Sequence, residues 1–176
     1  MHAFLSASKY QWLRYDDETL IERYKNHTAA RMGTRLHELA AELIELAVRL
    51  PDFQIALNMF VNDAIGFGMS PEVVLFYSEE CFGTADAISY SDGVLRIHDL
   101  KTGTSPASLD QLMVYAGLFC LNYELEAKEL SEVHLRIYQG DQVTLWDPPL
   151  SEVAVITKRI IQADRVLKTY KETGIF

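Results

Sequence analysis

Two apolar, β-branched and aromatic runs, residues 81–90 and 94–100, are separated only by Ser91-Asp92-Gly93. Both read as strands, and Asp-Gly between two such runs marks a tight hairpin with positive φ at both turn positions. A two-residue loop also fixes the register. Ser91 pairs with Val94, and counting outward sets Asp86 opposite Asp99. Directly opposed side chains have Cβ atoms roughly 4.5–5.5 Å apart on one face of the sheet. Lys101, two residues beyond Asp99, projects from that same face. A three-residue loop breaks this register.

The rest of the chain surrounds the hairpin with helices. Ser6 or Ser8 caps a short helix through Tyr10, Trp12 and Leu13. A long helix is expected from Thr28 to Leu50, stopped by Pro51, with Leu36, Leu39, Leu43, Leu46 and Leu50 as its buried stripe. Residues 53–65 form another helix, ended by Gly66-Phe67-Gly68, and residues 73–78 a first strand. Beyond the hairpin come a loop over 102–106 and a helix over 108–122. Strands 132–138 and 143–146 then flank Gly140-Asp141, and a helix over 151–173 follows. This order predicts an α/β protein with a central mixed β-sheet flanked by helices. The 176 residues suit a single domain, residues 1–176. Cys81 and Cys120 form no CxxC pair, which excludes a Cys-rich zinc site or a four-Cys iron–sulfur cluster. Reduced thiols, no signal-peptide pattern and no bilayer-length apolar run make a cytoplasmic, membrane-free protein the expectation.

The facing carboxylates carry the chemistry. Asp86 and Asp99 repel unless a proton or cation lies between them. Mg²⁺ or Mn²⁺ serves, because hard divalent ions accept one or two carboxylates and keep water and phosphate as other ligands. Lys101 can then orient water and stabilise charge developing on phosphorus. The alternative is a cross-strand salt bridge between Lys101 and Asp99 or Asp86. His37 and Glu38 lie beside the leucine stripe, where a helical histidine is either a boundary residue or a ligand. Gly33, one turn earlier, points to close approach of another backbone or a ligand. Gln111 and Tyr115 share a helix face at i and i+4.

With 16 Lys+Arg against 25 Asp+Glu, the net charge of −9 argues against coating nucleic acid through a broad basic surface. A local groove remains open. Arg31 and Arg35 precede His37 on one helix. The last helix carries Lys158, Arg159, Arg165, Lys168 and Lys171, either as a binding strip or as a solvated face with Val155, Ile156, Ile160, Ile161, Val166 and Leu167 inward. Tyr10, Trp12 and Tyr15 are stacking candidates or core aromatics.

Four blocks in order, Gly33-Thr34-Arg35-Leu36-His37-Glu38, Gly83-Thr84-Ala85-Asp86, Asp99-Leu100-Lys101-Thr102-Gly103 and Gln111-Leu112-Met113-Val114-Tyr115, resemble the PD-(D/E)XK nuclease superfamily, specifically its RecB-like branch. The resemblance spans residues 28–122. It implies a restriction-endonuclease-like core and a metal-dependent DNA nuclease, an exonuclease of phage-type recombination, repair or processing. A structure-specific endonuclease, or a nuclease-fold DNA-binding or assembly module without turnover, is the alternative. By position, His37, Asp86, Asp99 and the Leu100 carbonyl would hold Mg²⁺ or Mn²⁺. Asp86, Asp99, Lys101, Gln111 and Tyr115 would form the catalytic set, and Arg31, Arg35, Gln111 and Tyr115 would contact DNA. Glu79 or Glu80 corresponds to an acidic residue that some relatives carry before the hairpin. Ala85 stands where the motif has proline, and Asp99 where many relatives have glutamate. The cysteines that hold iron–sulfur clusters in some subfamilies are missing. Implied partners are DNA, a second copy of the chain and a recombination or replication protein, in the host cytoplasm if phage-encoded.

Overall fold

The computed structural model describes residues 3–103 and 106–174. A short 3-10 helix (Ala7–Arg14), kinked at Lys9, leads into α1 (Asp17–Glu45) and α2 (Ala56–Gly66). Strands β1 (Ser70–Ser78), β2 (Cys81–Ser91) and β3 (Val94–Lys101) follow, then α3 (Asp110–Asn122). Strands β4 (Glu132–Gln139) and β5 (Gln142–Trp146) precede α4 (Leu150–Thr173).

The strands form one five-stranded sheet in sequential order. β3 and β4 pair in parallel, with α3 as the crossover, and every other neighbouring pair is antiparallel. The chain is thus an α/β protein with a mixed sheet flanked by helices. Asp92 (φ 52°) and Gly93 (φ 80°) form the two-residue turn, and Ser91 pairs with Val94. One side of the sheet buries Leu95, Ile97 and Leu135 under Leu112, Ala116 and Val153 of α3 and α4. The other buries Leu100 and Tyr138 under Ala40, Ile44, Phe60 and Val61 of α1 and α2. Cys81 and Cys120 are free thiols.

The second core also encloses a polar thread. Tyr138 donates to Asp63 at 2.7 Å and lies 3.2 Å from His98 Nδ1, while Arg136 pairs with Asp63. Burial, and then the Arg136 and Arg96 charges, push the His98 imidazole down to about 3, so it stays neutral at physiological pH.

α1 departs from the expected 28–50 span at both ends. Asp16 is the N-cap, accepting from the Thr19 amide at 2.8 Å, with Asp17 and Glu18 in the first turn, so Thr28 lies mid-helix. At the other end Ala47 adopts φ 52° and Val48 N bonds back to Leu43 O, closing the helix before Pro51 is reached. The fully buried positions are Gly33, Ala40 and Ile44; of the leucine stripe, Leu43 and Leu50 pack half-buried against this core, whereas Leu39 and Leu46 are 42% and 65% exposed. α2 begins at Ala56 rather than 53. On α4 the buried positions are Val153, Ile160 and Asp164, whereas Val155, Val166 and Leu167 are exposed.

Candidate active site

The hairpin register carries the site. The last recorded pair of the β2–β3 ladder is Ala87 with His98, and the next step sets Asp86 against Asp99. The Asp86 carboxylate accepts a hydrogen bond from the Leu100 amide at 2.8 Å. On the other side of β2, the pairs Pro71–Ala87 and Val73–Ala85 bracket Glu72, which occupies the step opposite Asp86. Glu72, Asp86 and Asp99 therefore occupy successive register positions on three adjacent strands, at a step where both ladders are interrupted.

The backbone is irregular at this row. Glu72 has φ 49°, a left-handed conformation that costs a non-glycine residue roughly 1–2 kcal/mol. Ala85 packs in one core and Ala87 in the other, although alternate residues of a regular strand share a face. β2 therefore changes face around Asp86. His37 of α1 reaches the row from outside the sheet, its Nδ1 lying 3.3 Å from Asp86. Ligand atoms of His37, Glu72 and Asp86 all lie within 4.8 Å of one another.

The end of β3 and α3 supply the remaining groups. Lys101 Nζ donates to Asp99 Oδ1 at 3.0 Å and to Gln111 Oε1 at 2.8 Å. Gln111 Nε2 in turn donates to the Tyr115 hydroxyl at 3.1 Å, as their i, i+4 spacing requires. Lys101 Nζ lies 2.9 Å from Asp99 Oδ2 as an ion pair, yet no aligned donor reaches that buried oxygen. The Asp99 side chain is only 3% exposed, so the Lys101 ammonium is what compensates its buried charge.

The electrostatics are those of crowded negative charge. Burial and then the Asp86 charge push the Asp99 carboxyl above its ordinary range, against the pull of Lys101 and His37. Glu72 is exposed overall, but partial desolvation of its carboxyl, followed by Asp86, moves it upward too. The hydrogen bond to Asp86 raises the His37 imidazole, with Asp86, Glu72 and Asp99 adding to it and burial opposing. Burial raises the Tyr115 phenol, which stays protonated as a neutral donor.

Two glycines make room for this arrangement. A Cβ on Gly83 would lie 2.8 Å from Tyr115 Cε1, so the phenol ring rests directly on the β2 backbone. Gly83→Ala must displace that ring, and with it the Gln111–Lys101 chain. A loss of about 1–3 kcal/mol in stability is expected from denaturant unfolding, together with reduced activity. Gly33 admits the Thr102 side chain, 2.7 Å from its would-be Cβ, rather than the backbone or ligand expected there.

Of the residues singled out in the sequence, His37, Asp86, Asp99, Leu100, Lys101, Gln111 and Tyr115 come together. Arg31 and Arg35 line a shallow pocket of about 170 Å³ with Tyr24, Thr28 and Met32, further back on α1. Glu79 and Glu80 are not part of the cluster. They lie in the β1–β2 turn, where Glu80 pairs with Lys171. The acidic residue that precedes the hairpin and joins the cluster is Glu72. In the α4 strip, Lys168 pairs with Asp164 and Arg159 bonds Gln162. A cavity of about 560 Å³ between Phe67, Tyr90 and Phe119 is lined by no residue of the cluster.

Fold and site together define an α/β protein with a row of carboxylates at the centre of a mixed sheet, faced by a histidine and a lysine. The chain belongs to the family described as "Protein of unknown function (DUF2800)", whose model matches residues 74–173. That match includes Asp86, Asp99, Lys101, Gln111 and Tyr115 and leaves His37 and Glu72 outside it. No curated protein and no solved structure matches the chain. No helix among the described residues is long and apolar enough to cross a membrane.

Proposed function

We propose that this chain is a Mg²⁺- or Mn²⁺-dependent deoxyribonuclease with a PD-(D/E)XK core of the RecB-like type, acting as an exonuclease. The observation that carries the reading is the row Glu72–Asp86–Asp99, met by His37 on one side and Lys101 on the other. The donor set fits a hard divalent ion. It offers carboxylate oxygens and one imidazole, those of His37, Glu72 and Asp86 lying within 4.8 Å of one another. In a strand the N–H and C=O of one residue point to the same edge, so the Leu100 carbonyl faces the Asp86 side with its amide. Asp86, Asp99, His37, the Leu100 carbonyl and Glu72 are the residues that would hold the ion. When bound, it supplies positive charge that polarises a phosphoryl oxygen and acidifies water.

The chain's own groups do the rest. Lys101, held by Asp99 and Gln111, presents an ammonium that orients the attacking water and offsets charge gathering on the phosphoryl oxygens. Tyr115 fixes Gln111 and offers its hydroxyl to the substrate backbone. Arg31 and Arg35 supply the local positive charge that an acidic protein needs to approach DNA.

The test incubates end-labelled linear DNA and covalently closed circular DNA with the chain and Mn²⁺ or Mg²⁺, beside an EDTA control, while calorimetry follows Mn²⁺ binding. Metal-dependent loss of label from linear DNA with circles intact is the expected result. Cutting of circles replaces exonuclease by endonuclease. Tight DNA binding with no metal heat and no cleavage replaces both by a module without turnover.

A further inference from the structure

The chain has 25 acidic residues against 16 basic ones, yet residues 23–37 contain Arg23, Lys25, Arg31 and Arg35 and neither Asp nor Glu. Arg23, His27, Arg31 and Arg35 are spaced four apart, so they form one row along α1, whose axis runs on toward the turn that carries His37. The far end of the row opens into a cavity of about 470 Å³ between α1 and the 3-10 helix. Its walls include Phe4, Trp12 and Tyr15, with Lys9, Arg23 and His27 among them, and no carboxylate lines it. The rings are held in place: Phe4 packs 5.3 Å from His27 and 5.2 Å from Tyr24, and the Arg23 guanidinium stacks 4.6 Å over Tyr15. Trp12 Nε1 donates to Ser6 O, which fixes the indole.

Aromatic walls and cationic side chains without a competing carboxylate suit a planar ring that carries a negative group. The volume falls within the roughly 300–1,000 Å³ of small-ligand sites. We propose that this cavity is a nucleotide site, which takes one unstacked nucleotide of single-stranded DNA. The base lies against Phe4 and Trp12, and the phosphate meets Lys9 and Arg23. Aromatic stacking plus a basic track is the general chemistry of single-strand binding. From His27 to His37 the helix rises about 15 Å, some four stacked nucleotide steps at ~3.4 Å each. The site thus holds the strand a few nucleotides away from the carboxylate row. This placement rests on the nuclease reading; the binding itself does not.

The test is done in EDTA, so that no cleavage intervenes. Trp12 and Trp146 are the two tryptophans, and in the Trp146→Phe chain emission reports Trp12 alone. An oligothymidylate about eight nucleotides long should quench that emission. In the otherwise unaltered chain, the paired Lys9→Ala and Arg23→Ala exchange should weaken binding of the labelled oligonucleotide at least ~10-fold, by anisotropy at low salt. A blunt duplex of equal length should bind more weakly and leave Trp12 unquenched. Absence of quenching, indifference to the paired exchange, or equal duplex binding overturns the site. Quenching without cleavage in Mn²⁺ sinks the nuclease reading and leaves the site standing; cleavage without quenching does the reverse.

Discussion

Lys101→Ala should lower metal-dependent DNA cleavage by about 10²–10³-fold, the scale of removing one preorganised group that stabilises transition-state charge. The Lys101 side chain is 29% exposed and its ammonium is held by Asp99 and Gln111. The loss should appear in kcat more than in KM, because the charge it offsets develops only as the phosphodiester reacts. Lys101→Arg should not restore the rate, since a planar guanidinium cannot take the place of a point charge fixed between two oxygens. Mn²⁺ affinity should fall little or rise, because the variant removes a cation that competes for Asp99. Equal cleavage by wild type and Lys101→Ala reduces the lysine to a structural salt-bridge partner.

Asp99→Asn should do two opposite things: stabilise the metal-free chain and weaken Mn²⁺ binding. Asp99 is held above its ordinary range by burial and by Asp86. An acid whose folded pKa is raised contributes stability that is fully present below its unfolded value and is lost as pH rises through the folded one. His37, raised chiefly by its hydrogen bond to Asp86, has the same sign, with its contribution lost as pH rises through its raised value. Asp99 and His37 thus contribute less stability to the metal-free chain as pH rises, while His98, whose imidazole is depressed to about 3, contributes in the opposite sense as pH falls below its unfolded value. Asparagine keeps the acceptor for Lys101 and removes the charge. At neutral pH the metal-free melting temperature should rise by roughly 2–4 °C for each kcal/mol relieved, and the Asp99 part of the pH dependence should vanish. Mn²⁺ affinity should fall by more than the ~10–100-fold typical of outer-shell partners. Scanning calorimetry and titration calorimetry read both effects. A lower melting temperature with unchanged Mn²⁺ binding leaves Asp99 as an ion-pair partner only.

Part of the site was legible because its geometry is local. Asp92-Gly93 sets a two-residue turn, and alternation then carries the register outward to Asp86, Asp99 and Lys101. The 3.6-residue period does the same for Gln111 and Tyr115. Glu72 was not legible, for a definite reason. Counting outward from the Glu79-Glu80 turn places Val73 opposite Asp86. The irregularity between Phe76 and Ser78 shifts the register by one and brings Glu72 there instead. No residue pattern marks that shift. The early start of α1 did carry a signal, Asp16-Asp17-Glu18 at a helix N-terminus. Its first half is mostly exposed, so the apolar periodicity that would have extended the helix backward is missing. The leucine stripe was legible in part: Leu43 and Leu50 pack against the core, but the most buried positions of α1 are Gly33, Ala40 and Ile44.

The central claim is that the carboxylate row and Lys101 hydrolyse DNA with a divalent ion. End-labelled linear DNA incubated in Mn²⁺ with wild type, Lys101→Ala and Asp86→Ala, each checked for folding by circular dichroism, tests it most directly. Label released by the wild-type chain alone, and not in EDTA, is the expected result. No release by folded wild-type chain in Mn²⁺ or Mg²⁺, or equal release by all three proteins, contradicts it.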